Sequence, residues 1–228
     1  MRSKTLMIKQ AWPSTLFLSD WEGFETHAPG LRAAILAEAA GFAQPVASGI
    51  APAAKPPAGL VESPLGFFET SRDPHVQALA RWCATNIRLA VSKVNGAEVT
   101  PERLQVVFSD SWFHVTNQGG FHDAHTHGNC SWCGIFYAEI GETALDPTGA
   151  AGNGVNRFYA PLSRGGLVSD YGNAYLRDAF LDVPPQNGRL VLFPSYLLHA
   201  ALPYQGETDR IIVSFNSRTY ITPDAQDG

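Results

Sequence analysis

The stretch "GGFHDAHTHGNCSWCGIFY", Gly119–Tyr137, holds three of the chain's seven His, two of its three Cys and an Asp. Imidazole, thiolate and carboxylate are the side chains that ligate transition metals, either in a closed structural site or in one that keeps positions open for a reactant. A closed zinc site would use His125, His127, Cys130 and Cys133, and it needs a tight turn that brings both sulfurs together. Cys130 is followed by Trp, Cys, Gly, Ile, Phe and Tyr, a strand-forming composition. On a strand, side chains three apart point to opposite faces, so Cys130 and Cys133 are expected to diverge. His125 and His127, two apart, share a face, and Asp123 has the same parity. Such a pair can chelate one ion without distorting the backbone, but without a third ligand it is equally a polar strand end.

A third imidazole stands in "GRLVLFPSYLLHAALPYQGETDRIIVSFNS", Gly188–Ser217. A Gly turn leads into an apolar strand, and His199 then opens a second strand. Arg210, eleven residues later, opens a third. An Arg directed into a barrel offers a rigid two-pronged donor suited to a carboxylate. The remaining ligand-type residues have structural readings. His122 lies on the face opposite the pair, exposed or at a substrate mouth. His114 is a strand residue, Cys130 and Cys133 pack near the site, and Trp112 and Asn117 are candidates to line it.

These residues sit in a series of short segments rich in Val, Ile, Phe, Tyr and Trp, running from Leu104 to the end and punctuated by Gly, Pro, Asn and Asp. They read as strands. The connections show no βαβ alternation, so an antiparallel sandwich or barrel is expected. The first third reads as helices. Gly30–Phe42 is rich in Ala and Leu. Asp73-Pro74 forms an N-cap and first-turn pair ahead of an apolar stripe through Val76, Leu79, Cys83, Ile87, Ala90 and Val94. Cys83 is on that account a small core residue. Ala47–Gly66, with Pro52, Pro56, Pro57 and Pro64, is a surface excursion. Gly141–Pro184 is Gly-rich, carries Arg157, Arg164 and Arg177, and reads as a lid over a polar or anionic substrate.

At 228 residues, 45% hydrophobic and 11% aromatic, the chain is globular and long enough for one sizeable core. Its net charge of -5 argues against nucleic acid or an anionic membrane as partner. Three Cys do not make a disulfide framework, and a reducing compartment fits. With no signal-peptide core and no long apolar run, a cytoplasmic location is expected.

Together, "GGFHDAHTHGNCSWCGIFYAEI" and "GRLVLFPSYLLHAALPYQGETDRIIVSFNS" resemble the 2-oxoglutarate/Fe(II)-dependent oxygenases, in a bacterial and phage branch with the pattern H-x-H … FPS-xxx-H … R-xxx-SFN. The resemblance covers about Phe108–Thr219. It implies a mainly β fold with flanking helices: a double-stranded β-helix (jelly-roll, cupin-like) core over 101–228, buttressed by mostly helical residues 1–100 in a single domain. It implies Fe(II), 2-oxoglutarate and O2 as cofactor and cosubstrates. His125 and His199 match metal ligands, and Arg210 matches the residue that pairs with the distal carboxylate of 2-oxoglutarate. Tyr137 falls where relatives place a hydroxyl on that carboxylate, and Ser214 shares the face of Arg210. At His127 most relatives carry Asp or Glu. The third ligand is then His127, Asp123 or water, with His127 favoured by its spacing. The implied reaction is hydroxylation of a C–H bond in a small molecule or peptide, with release of succinate and CO2. A homo-oligomer is compatible with the sequence. Two rivals remain: a cupin-type three-His iron dioxygenase that needs no 2-oxoglutarate, and a non-catalytic metal- or ligand-binding barrel.

Overall fold

Local chain chemistry explains where the helical layer begins and how closely it packs. The computed structural model describes residues 14–42, 59–96, 99–146, 152–160 and 179–222. Its first elements are β1 (Phe17–Asp20), α1 (Phe24–Phe42), β2 (Leu60–Glu62), the single turn α2 (Phe67–Thr70) and α3 (Pro74–Asn95). The α3 N-terminus follows the expected pattern. Asp73 Oδ1 accepts from the backbone N–H of His75 at 2.8 Å and of Val76 at 3.2 Å, satisfying donors that a helix start leaves free. The buried stripe includes Val91, whereas Val94 is 49% exposed. Because Val94 has the azimuth of the stripe, its exposure means the last turn runs past the layer beneath. Helix α1 starts at Phe24, earlier than the composition indicated, and tolerates Pro29 in its second turn. Gly30 permits close packing there, since a Cβ would stand 2.2 Å from His75 Cδ2 on α3.

The strands follow as β3 (Leu104–Thr116), β4 (Gly120–His125), β5 (Trp132–Glu139), β6 (Asn156–Tyr159), β7 (Phe180–Asp182), β8 (Arg189–Pro194), β9 (His199–Tyr204) and β10 (Arg210–Ile221). They build two antiparallel sheets, ordered β1-β8-β5-β10-β3-β2 and β4-β9-β6-β7, the two-layer form of a jelly roll. The N-terminal third thus supplies two strands of the large sheet besides helices.

Strand β5 shows why the layers stack as they do. Trp132, Phe136 and Ala138 face the helices, while Cys133, Ile135 and Tyr137 face the small sheet. Both faces are covered, so the strand reads as an unbroken apolar run. Strand β10 alternates in the same way, with Ile211, Val213 and Phe215 in the helix-side core and Ile212 in the inner one. Arg210, Ser214 and Asn216 share the inward parity of Ile212.

The segment expected to be one long loop contains β6 and β7. Arg157 is not free for a ligand there, because it grips Asp182 with two hydrogen bonds of 2.7 Å across this hairpin. Arg164, Arg177 and most of the proline-rich stretch lie outside the described residues. No described helix is long and apolar enough to cross a membrane.

Candidate active site

The small sheet brings the predicted imidazoles together. His125, the last residue of β4, pairs in register with His199, the first of β9, and their ring centroids are 4.3 Å apart. His127 lies beyond the end of β4, so strand parity does not place it. Its backbone N–H donates to Ser195 O at 3.0 Å, folding the loop back so that its ring lies 4.9 Å from His125 and 5.2 Å from His199. The ligand atoms of the three all fall within 4.8 Å of one another.

Hydrogen bonds select the ring nitrogen that His125 and His199 present. His125 Nδ1 is 2.7 Å from Asp123 O, and His199 Nδ1 is 3.0 Å from Leu197 O. A carbonyl only accepts, so each Nδ1 carries the hydrogen and Nε2 is left as the lone-pair donor. Burial holds all three rings in the neutral, ligating form. It lowers His199 to about 3 and His127 to about 4, with neighbouring imidazoles adding to the effect, and it lowers His125 as well. The carboxylate of Asp123 is exposed and belongs to neither ligand-atom group among the described residues. What Asp123 gives the site is its backbone carbonyl.

Arg210 is 1% exposed. Its Nη2 donates to Asn156 Oδ1 at 2.7 Å, and its Nε has no hydrogen-bond partner. The Tyr137 hydroxyl, also fully buried, donates to the same Asn156 oxygen at 2.8 Å, and burial raises its pKa to about 12. Ser214 and Asn156 line the cavity that holds the three His. A guanidinium cannot shed its charge, so a buried one with an orphaned N–H is costly until an anion reaches it. Three neutral imidazoles with ligand atoms within 4.8 Å of one another, and an unmatched cation in the same sandwich, fit a divalent metal together with a carboxylate cosubstrate.

Three expectations need correction. Cys130 and Cys133 do not diverge: their sulfurs are 3.7 Å apart, because β5 begins only at Trp132 and Asn129 turns the chain with φ 61°. Neither Cys belongs to a ligand-atom group among the described residues. His122 is not on the far face. Irregular register in β4 between His122 and His125 swings it round, leaving its Nδ1 3.2 Å from His125 Nδ1. His114 is more than a strand residue, since its Nε2 meets Glu62 Oε2 at 2.6 Å. Trp112 lines the cavity, whereas Asn117 instead donates to Asp209 on the surface.

Asn156 and Glu62 were missed. Asn156 had a signal: it is the polar residue at inward parity in "VNRFY", two before the buried Phe158. Glu62 had none, because β2 is only three residues long.

Two packed antiparallel sheets, with a three-imidazole cluster whose cavity is lined also by the Asn156 that holds a buried Arg210, are the fold of the jelly-roll class and a donor set that could hold a metal. Within that class, residues 110–216 match the family described as "Putative 2OG-Fe(II) oxygenase". Solved structures share the fold. A prolyl-4-hydroxylase of Pseudomonas putida aligns at TM-score 0.53 and 18% identity, covering 88% of this chain and 92% of that one. The carbocyclase SnoK of nogalamycin biosynthesis, described as non-heme and alpha-ketoglutarate dependent, aligns at TM-score 0.57 and 12% identity, covering 94% and 85%. HygX of Streptomyces hygroscopicus, solved with nickel and 2-oxoglutarate bound, aligns at 0.52 and 11%, covering 90% and 83%. No curated protein matches the chain.

Proposed function

We propose that the chain acts as one domain, a 2-oxoglutarate-dependent Fe(II) hydroxylase in which His125, His127 and His199 hold the metal. The observation that carries this reading is the pairing of a neutral three-imidazole cluster with a buried guanidinium whose Nε has no partner. When bound, Fe(II) with 2-oxoglutarate and O2 supplies oxidative decarboxylation to succinate and CO2, and with it oxidation of a C–H bond. The residues of the chain position and screen this chemistry. The guanidinium of Arg210 binds the distal carboxylate of the cosubstrate, with the Tyr137 hydroxyl and Ser214 adding hydrogen bonds. Asn156 keeps guanidinium and phenol aligned by accepting from both. Phe193, whose ring centroid is 4.6 Å from that of His199, keeps water from one side of the cluster. The substrate is a small molecule or peptide.

A ligand set without a carboxylate leaves the metal more positive than the usual two-His, one-carboxylate set does. That feature also suits a three-His dioxygenase that dispenses with 2-oxoglutarate, but such an enzyme has no use for Arg210. Turnover of 2-oxoglutarate to succinate by the Fe(II)-loaded chain is the test. Turnover that Arg210→Ala abolishes supports the proposal; its absence in the wild type overturns it.

A further inference from the structure

Beside the three-imidazole centre lies a second convergence of ligand atoms that the oxygenase reading leaves unused. Glu62 Oε2 lies 2.6 Å from His114 Nε2 and 3.7 Å from His122 Nε2, and the ligand atoms of the three fall within 4.8 Å of one another. Donors about 2.0–2.2 Å from one divalent ion stand roughly 3 Å apart, which these separations bracket. The two clusters touch without sharing a ligand atom. His122 turns Nε2 toward Glu62 and sets its Nδ1 3.4 Å from Asp123 O, the carbonyl that His125 Nδ1 also faces. The three residues come from different strands: Glu62 from β2, His114 from β3 and His122 from β4. Strands β2 and β4 are each the last strand at one edge of their sheets, and the β2–β3 pairing sets Glu62 opposite His114.

We propose that Glu62, His114 and His122 form a second cation site that clamps the open edge of the large sheet to that of the small one. The donor set of two imidazoles and one carboxylate suits a borderline divalent ion such as Zn²⁺, Co²⁺ or Fe²⁺ rather than Ca²⁺ or Mg²⁺. The side chain of His114 is 8% exposed, while those of His122 and Glu62 are 35% and 47% exposed. The site is thus anchored in the sandwich and open to water on its outer side, which leaves coordination positions for solvent.

The test is a count of bound Co²⁺ on the full chain after chelator treatment, with the melting temperature followed through the titration. Wild type binds about two ions per chain, and the second raises the melting temperature by mass action. Glu62→Gln keeps the size but not the charge and binds about one, without the second rise in melting temperature. His122→Ala, on the other sheet, behaves the same way should Glu62→Gln fold poorly. His199→Ala removes the neighbouring centre and retains the ion held by Glu62, so failure of the oxygenase assignment and failure of this site read out separately. One ion in the wild type, or two in both Glu62→Gln and His122→Ala, overturns the proposal. So does a second ion bringing thiolate-to-Co²⁺ absorption, which would place it on Cys130 and Cys133.

Discussion

On its outer face the large sheet meets α1 and α3 through close-packed aromatic rings. Phe136 lies edge-on to Trp21, Phe24 and Trp82 with centroids 5.8, 6.2 and 6.0 Å away. On the inner face, the same strands present Arg210, Tyr137, Ser214 and His114, all buried. The first face gains free energy from apolar burial and packing, about 1.5–3 kcal/mol for each large side chain removed from water. The second spends some of it on a charge and imidazoles taken out of water without full compensation. Alternation along β5 and β10 lets one strand do both. The comparison teaches that stability and chemistry are divided by strand face and not by segment of chain.

The sharpest way to break that comparison is Arg210→Met. Removing the anchor should weaken 2-oxoglutarate binding on the order of 100-fold or more. Because the guanidinium is buried with an unpartnered Nε, an apolar replacement should leave the urea midpoint of the apoprotein equal or higher. Titration calorimetry and urea unfolding check the two halves. A variant that unfolds more easily yet keeps its affinity would erase the distinction between the faces.

Phe136→Ala tests the opposite face. It should cost about 3–5 kcal/mol of stability through cavity formation, while the folded fraction keeps wild-type metal stoichiometry. Urea unfolding paired with metal counting reads this out.

Acid provides a milder probe of the inner face. Folding depresses the imidazoles from 6.5 to about 3 at His199 and about 4 at His127. Above pH 6.5 both folded and unfolded rings are neutral. Below it the unfolded chain takes up protons that the folded chain refuses, so stability falls between pH 6.5 and about 4. The expected loss in the metal-free protein is on the order of a few kcal/mol. Bound metal should raise stability across the window and carry the loss to lower pH, since it keeps protons off the folded rings where the metal-free ones begin to take them up. Denaturation midpoints across that window, with and without metal, measure both. A midpoint flat with pH in the metal-free protein would mean the rings are not desolvated.

The smallest expected effect is Asp73→Ala, which removes the α3 cap and should cost about 1 kcal/mol. Cosubstrate affinity should not change, since the buried residues of α3 lie in the helix-side core. A calorimetric melt and one binding isotherm suffice.

Much of this architecture is legible in the amino-acid order because it follows from local periodicity. The strand over Leu104–Thr116 and the Asp73-Pro74 helix start are written in residue types and in alternation of two or 3.6. The metal candidates His125, His127 and His199, and Arg210 behind them, are legible from spacing together with family pattern. Other features depend on contacts between distant segments. Only pairing of β4 with β9 puts His125 against His199. Only the Ser195 carbonyl turns His127 inward once its strand has ended. An irregular register reverses the side on which His122 emerges, and a left-handed residue at Asn129 brings two cysteines together that strand parity would separate. Glu62 enters the picture solely because a three-residue strand lies beside β3. Periodicity determines which side chains share a face of an element. It is silent about where an element stops, slips or bulges, and those events, decided by long-range hydrogen bonds, compose the site.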